Sequence, residues 1–428
     1  MGMKSLARWI TDKYICLLLL VFPLWTGFDG YAQITRWKFI FYAVITVIWA
    51  VLLIFFAVRR REKPRCPKVF AALLSALLAW AAVSALASEY GVRTLMGWNY
   101  DGLLPMALYA VTALGVAAYG EIKKYYVNLL AVSASLCCVV ALLQLLGQNP
   151  LWLYPEGLDY YDAGIKYAGS FLGTLGNTNI LGSFLCICCP LFAFTALFER
   201  ARRLWLLLPA ALCLAVLVLS RSEAGLLGIA AAALIGVPYY VYLNLKRRSF
   251  ILTVACEAAL VCAALCALYF TSPESGTLWE AHELLHGRVQ DSFGSSRVAI
   301  WREALRLFAE EPLLGGGPGS FGMRSALEFS RFVEETGMTV TTRADNAHSA
   351  ALTALTDLGV PGLLLWCSCW AYVLTRRGGA AAAPAALCLL SYLAQSLFAI
   401  ETCFVLPFVC VFSGLSVTCN RNSLHRLE

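Results

Sequence analysis

Charge is what this chain has least of: Asp, Glu, Lys and Arg make up 14% of its 428 residues, while 60% are hydrophobic. A soluble globular chain carries roughly 25% charged and 45–50% apolar residues. The shortage excludes a water-soluble fold, which could not cover so much apolar surface, and the mean hydropathy of +0.71 agrees. Histidine is scarcer still, with four in the whole sequence. Cysteine is plentiful at 17, but paired zinc spacings are missing, and most of the cysteines sit in apolar runs such as "CCVV" at 137–140 and "CICCP" at 186–190. There they act as small apolar side chains and not as a disulfide framework.

What is present is a series of apolar runs of roughly 17–25 residues, the length that crosses about 30 Å of hydrocarbon as a helix. They fall near 14–28, 38–58, 68–87, 103–119, 125–146, 179–198, 204–220, 222–243, 250–271, 359–375, 381–399 and 403–419. This predicts an all-α polytopic membrane protein of about twelve transmembrane helices. Nine lie within 1–271, a long loop with amphipathic helices occupies 272–358, and three more within 359–428 lead to a tail. The first run continues into Trp25 with no small-residue cleavage pattern, so it reads as a span and not as a cleavable signal peptide. Lys4, Arg8 and Lys13 are followed by basic residues in every second connection: "RRREKPRCPK" (59–68), "EIKK" (121–124), "ERARR" (199–203), "LKRR" (245–248), "TRR" (375–377) and Arg421 with Arg426. The positive-inside rule then puts both termini in the cytoplasm. That topology accounts for the net charge of +7 and argues against nucleic acid as a partner.

Function is then expected in the outward loops, at 88–102, 147–178, 220–222, 272–345 and 400–402. The loop at 272–345 is far longer than a connection needs, and loops of that length are functional or disordered. Disorder is disfavoured by "SSRVAIWREALRLFAEEP" (295–312), where Val298, Trp301, Leu305 and Phe308 recur at helical spacing and Arg297 points where that stripe points. A second misplaced cation is Arg221 in "LVLSRSEAGLLG" (216–227), outward against the topology rule, with Glu223 two residues on. It reads either as a rim salt bridge with Glu223 or as an anion-binding guanidinium, whose fork suits phosphate.

The stretch "TTRADNAHSAALTALTDLGVPG" (341–362) places His348 three residues after Asp345 at the start of an expected helix. With Asp345 as N-cap, His348 falls near the third helical position. The helix dipole and Arg343 would disfavour imidazolium and Asp345 would favour it. Two rival motifs lie nearby. "HELLH" (282–286) matches the H-E-x-x-H zinc pattern, with Glu283 as base, yet no third ligand has a familiar spacing, and the segment also reads as an amphipathic surface helix. "GPGSFG" (317–322) matches G-x-G-x-x-G, but no strand precedes it. Its glycines read as a tight turn or as backbone that approaches a lipid head group.

Taken together, the outward "SRS" turn, the Arg297–Trp301 helix leading to "PLLGGGPGSF" (312–321), and a histidine followed by "TALTDLGVPG" (353–362) resemble the O-antigen ligase and O-antigen polymerase superfamily. "GWNYDGLLP" (97–105) and "GTLGNTNILGSFL" (173–185) are similar to earlier segments of that family, so the resemblance covers most of the chain. Two positions depart from it: Ser349 follows the histidine where many members have Asn, and Asp357 stands where they have Glu. The resemblance implies a glycosyltransferase of the bacterial plasma membrane that moves a glycan from undecaprenyl diphosphate to an acceptor glycan or glycolipid on the extracytoplasmic side, with no cofactor. It assigns catalysis to His348 and diphosphate binding to Arg221 and Arg297; Asp345, Glu223 and Arg343 are read from their positions as supporting residues, and no metal ligand is expected. Bottom-up chemistry is consistent with these roles, since a sugar hydroxyl needs a base and a departing diphosphate needs positive charge. A transporter remains the alternative from a different class, although mid-span charges and a matching internal repeat are lacking. A zinc metalloprotease built on "HELLH" is the other.

Overall fold

Each apolar run folds into a helix in the computed structural model, which describes residues 6–59, 61–154, 161–162, 165–166, 172–199, 203–271, 273–333, 338–375 and 382–419. In chain order the first helices are α1 (Leu6–Leu20), α2 (Ile34–Arg59), α3 (Lys68–Ala87), the short α4 (Arg93–Met96), α5 (Leu103–Tyr119) and α6 (Lys124–Leu145). A two-residue ribbon, β1 (Tyr161–Asp162) with β2 (Ile165–Lys166), precedes α7 (Thr178–Glu199), α8 (Leu207–Leu219), α9 (Glu223–Asn244) and α10 (Arg247–Phe270). Then come α11 (Gly276–Leu285), α12 (Phe293–Glu310), α13 (Phe321–Arg324), the antiparallel hairpin β3 (Glu328–Val333) with β4 (Met338–Arg343), α14 (Ala350–Thr375), α15 (Ala383–Ser396) and α16 (Leu406–Cys419). Among the described residues seven helices (α2, α3, α6, α7, α9, α10, α14) are long and apolar enough to cross a membrane, and four shorter apolar ones accompany them. Arg376, Arg377, Arg421 and Arg426 lie outside the described residues.

Two expectations are corrected. The long loop is not purely helical, because residues 328–343 pair as a hairpin with Glu328 opposite Arg343. The first helix starts earlier than the apolar run and stops at Leu20, because Pro23 heads a 3-10 turn at Phe22–Leu24. The carbonyls of Phe22 and Pro23 are taken up by the Nζ of Lys38, at 2.7 and 2.8 Å, which is fully buried and lies over the Phe22 ring. Buried backbone without a partner would cost several kcal/mol in hydrocarbon, so the break and the lysine belong together. Two glutamines within spans also find partners: Gln144 donates to the Tyr31 hydroxyl and accepts from the amides of Leu172 and Gly173, and Gln395 donates to Ser183.

Basic residues of the first segment and of the connections after α5 and α7 meet at one end of the bundle. Arg8 pairs with Glu121, Lys123 with Asp12, and Lys124 with Glu199, while Arg203 donates to Asn128 and to the Lys124 carbonyl. The most deeply buried span, α7, runs from that end at Glu199 to the opposite end, where Gly182 packs under the α8–α9 turn. A Cβ on Gly182 would sit 1.9 Å from the Ser222 hydroxyl and 2.5 Å from its Cβ, so glycine is what lets the turn carrying Arg221 settle on α7. Gly182→Ala is therefore expected to destabilise the protein in detergent by about 1–3 kcal/mol through overpacking. Ser222→Gly, which removes the clashing atoms, should restore most of the loss in the double variant, as read by thermal unfolding.

Candidate active site

The site end is organised by a break in α14. Gly359 has φ +66° and ψ −170°, and Pro361 follows, so the helical hydrogen-bond ladder stops and the carbonyls of Thr356, Asp357 and Leu358 lose their partners. Neighbours replace them. Trp80 Nε1 donates to the Leu358 carbonyl at 2.8 Å and Ser84 to that of Asp357 at 2.9 Å, both from α3. The amides of Gly316 and Gly317 donate to Thr356 and Asp357 at 3.0 Å each, and that of Gly319 to the Asp357 carboxylate at 2.8 Å. The glycine segment at 315–319 is thus a tight docking turn in which the amides of Gly316, Gly317 and Gly319 are committed to α14. Gly315, Gly317 and Gly319 all have positive φ, and a Cβ on Gly315 would lie 2.4 Å from the Asp357 carbonyl carbon. Arg324, buried, adds a donor to Thr356 and another to the Leu307 carbonyl, which ties α12 to α14.

On this platform sits the segment that bears His348. Helix α14 begins at Ala350, so His348 precedes it and adopts φ +48° in place of the expected third helical position. Asp345 is not the cap. Asn346, buried, accepts the His348 amide on its side-chain oxygen at 2.9 Å, and Asp345 accepts instead from Asn99 Nδ2 at 3.0 Å, across from the α4–α5 turn. A left-handed conformation is unusual for histidine and marks a position that the surroundings over-determine. Arg343, expected to act on the imidazole, is turned away: its guanidinium donates to the Ser325 carbonyl, and to that of Met323 at 3.4 Å.

The cation that reaches His348 is Arg297. Three successive residues, Gly294, Ser295 and Ser296, are left-handed, so regular α12 starts at Arg297. The Arg297 Nε donates to the Phe398 carbonyl at 3.0 Å, and a terminal nitrogen to that of Gly294 at 2.6 Å. The stripe that α12 buries is Ile300, Ala304 and Leu307, packed on Phe321, Ala344 and Ala347, one residue out of phase with the expected Val298, Trp301, Leu305 and Phe308. Trp301 instead meets Phe398, with ring centroids 5.8 Å apart, and Leu305 is exposed. Burial lowers the Arg297 pKa from its ordinary value, against which Glu223 and Glu280 act. Glu223 accepts a hydrogen bond from the Thr277 hydroxyl, so the rim salt bridge with Arg221 is not formed. Arg221 itself, at φ +53° in the α8–α9 turn, is exposed and makes no hydrogen bond or ion pair with a described residue.

The His348 pKa is lowered, first by burial and then by Arg297, while Asp345 opposes them. The imidazole is therefore neutral near pH 7 and able to accept a proton. Beside this loop opens a cavity of about 230 Å³ between α3, α5, α14 and α16. Its walls are largely apolar, and its polar residues include Asp101, Asn346, Asp357 and Glu401. Burial raises the Asp101 carboxyl and pushes that of Glu401 up to about 7. Sequence reading missed Glu401 because nothing in "FAIETCF" distinguishes it from any loop acid. The "HELLH" histidines are occupied in packing: Nδ1 of His282 bonds the Leu268 carbonyl at 2.9 Å, Nδ1 of His286 bonds the His282 carbonyl at 2.8 Å, and His286 stacks on Tyr269. Among the described residues no third His, Cys, Asp or Glu joins them in a metal-ligand group.

A helical bundle with helices long and apolar enough to cross a membrane thus carries a half-buried imidazole and a half-buried guanidinium in the segments that precede α14 and open α12. Residues 208–367 match a family model described as O-antigen ligase, and this match supports membership of the chain in the O-antigen ligase superfamily. The matched segment contains Arg221, Arg297 and His348 and supports a ligase- or polymerase-type glycosyltransferase function in polysaccharide biosynthesis. No curated protein matches the sequence. Because Asp345 raises and Arg297 lowers the His348 pKa, Asp345→Asn should move the acid limb of the activity profile to lower pH. The pH dependence of kcat/KM tests this, and a shift to higher pH would contradict the electrostatic assignment.

Proposed function

We propose that the protein transfers a glycan from undecaprenyl diphosphate to a hydroxyl of an acceptor glycan or glycolipid on the extracytoplasmic side of the bacterial plasma membrane, without a metal. The observation that carries this reading is that the half-buried His348 at the head of α14, Arg297 at the head of α12 and Arg221 in the α8–α9 turn all fall within the segment that matches the O-antigen ligase family model. His348 takes the proton of the acceptor hydroxyl as its oxygen attacks the anomeric carbon, and the bond from that carbon to the diphosphate oxygen breaks. Arg297 and Arg221 stabilise the charge that develops on the leaving diphosphate, the role that preorganised cations fill at a transition state. The proton then passes from His348 to solvent or to the departed phosphate. Asp345 holds the loop against Asn99, and Glu223 and Glu280 keep the Arg297 region near neutrality until the anion arrives.

In an assay with defined undecaprenyl diphosphate glycan, His348→Ala should lower turnover by about 10²–10⁴-fold, the usual contribution of a general base. His282→Ala with His286→Ala should leave most of it. Arg221→Lys and Arg297→Lys should each cut turnover strongly without loss of folded protein, because an ammonium lacks the planar fork. EDTA should change little. Activity that collapses in EDTA and returns with Mg²⁺ or Mn²⁺ would overturn the metal-independent mechanism.

Orientation is tested separately. An impermeant thiol reagent added to intact cells should label Arg288→Cys above the native background but not Arg61→Cys or Arg247→Cys, all three positions being exposed at bundle ends. The opposite pattern would place His348 in the cytoplasm.

A further inference from the structure

The two flanks of His348 offer different polar groups. On one side stand Arg297 and the α8–α9 turn with Arg221. On the other is the cavity, whose lining includes Asp101, Asp357 and Glu401 and no lysine or arginine. Guanidiniums suit a diphosphate, whereas carboxyls and amides offer acceptors and donors to hydroxyls. The Asp357 carboxylate is already engaged by the Gly319 amide. The Glu401 carboxylate lines the cavity and makes no hydrogen bond or ion pair with a described residue.

In the turn whose Tyr100 and Asp101 line this cavity stands Trp98, 54% exposed. Exposure of so large an apolar ring needs a reason, and the turn that carries it is rigidly built. The Trp98 amide donates to the Gly319 carbonyl at 3.1 Å, the Asn99 amide to the Asp101 carboxylate at 3.1 Å, and Asn99 Nδ2 to Asp345 at 3.0 Å. A Cβ on Gly322 would meet Trp98 Cγ at 3.0 Å and the Asp345 carbonyl oxygen at 2.9 Å, so the indole root and the His348 segment share one glycine-sized contact. Indole is thus held next to the loop that bears the proposed base, with an unpartnered carboxylate in the adjoining cavity.

We propose that this turn and cavity form the subsite for the sugar that supplies the attacking hydroxyl: Trp98 stacks on the apolar face of a pyranose ring, and Glu401 with Asp101 and Asn346 accepts or donates to its hydroxyls. The assignment rests on the transferase reading given above and deepens it. An aromatic face receives the C–H side of a sugar without regard to its identity, and the polar lining then hydrogen-bonds its hydroxyls. Stacking of this kind is lost with alanine and largely kept with phenylalanine.

The test separates the subsite from the reaction. Saturation-transfer NMR on inactive His348→Ala protein in detergent, with methyl β-galactoside and methyl β-glucoside as probes, reads binding without turnover. Both glycosides should bind. Trp98→Ala should abolish the signal, Trp98→Phe should retain it, and Trp152→Ala, which removes an indole that is 87% exposed elsewhere, should leave it unchanged. In the transfer assay Trp98→Ala should raise the acceptor KM by about tenfold, equivalent to about 1.4 kcal/mol, with the donor KM unaltered. A signal that survives Trp98→Ala, or an acceptor KM that Trp98→Ala leaves in place, overturns the subsite while His348→Ala still abolishes transfer. If His348→Ala keeps transfer, the transferase mechanism fails instead. If Trp98 is only a membrane-interface anchor, Trp98→Ala lowers thermal stability and leaves both the NMR signal and the KM intact, which also overturns the subsite.

Discussion

Everything at the site end depends on the carbonyls that α14 releases at Gly359. A broken helix in a membrane protein must hand its exposed backbone to other donors, and here the donors are Trp80 and Ser84 of α3, the glycine segment at 316–317 and Arg324. These partners come from parts of the chain far apart in sequence. Satisfying three carbonyls therefore fixes α3, α12 and α14 relative to one another. The Asp357 carboxylate extends the same arrangement by accepting the Gly319 amide, which in turn sets the carbonyl that holds Trp98. His348, Arg297 and the cavity mouth acquire their geometry from this junction and not from a catalytic loop with its own core.

The electrostatics follow from where burial leaves each charge. Arg297 is half-buried and shares its neighbourhood with Glu223 and Glu280, so a cation can be kept near the membrane surface without a single tight salt bridge. His348 is kept neutral by the same burial and by Arg297, and Asp345 moderates the shift. The result is an asymmetry across a few residues, with guanidiniums toward α9 and α12 and hydrogen-bonding carboxyls that burial holds toward their neutral form in the cavity between α3 and α16. A reaction that separates an anionic leaving group from a neutral nucleophile can use both sides.

Much of this was legible in the sequence because the composition makes polar residues conspicuous. In a chain so poor in charge, Arg221, Arg297 and His348 stand out by position alone, and the runs of apolar residues predict the helices. What failed was local detail. Asp345 looks like a cap by residue type, but the buried Asn346 captures the amide first, which pulls His348 out of the helix. Arg343 looks near His348 in sequence, but β4 ends there and directs the guanidinium to the Ser325 carbonyl. The stripe on α12 was out of phase because two sets of residues share the same helical spacing, and contact with Ala344 and Ala347 decides between them. The hairpin was missed although "MTVTTR" is rich in β-branched residues, because helical expectation dominated the whole loop. Glu401 had no sequence signature, since its significance lies in the cavity it lines.

The two arginines also differ in how they are held. Arg297 is tethered through its Nε and one terminal nitrogen to backbone carbonyls, which leaves one terminal nitrogen uncommitted by these bonds. Arg221 is free of described partners on an exposed turn. One guanidinium is a fixed post and the other a swivelling latch. On the transfer proposed above, an elongated, two-phosphate anion would register its position on the post while the latch follows it from the bound to the departing state, so release of the spent carrier would not disturb the residue that lowers the His348 pKa.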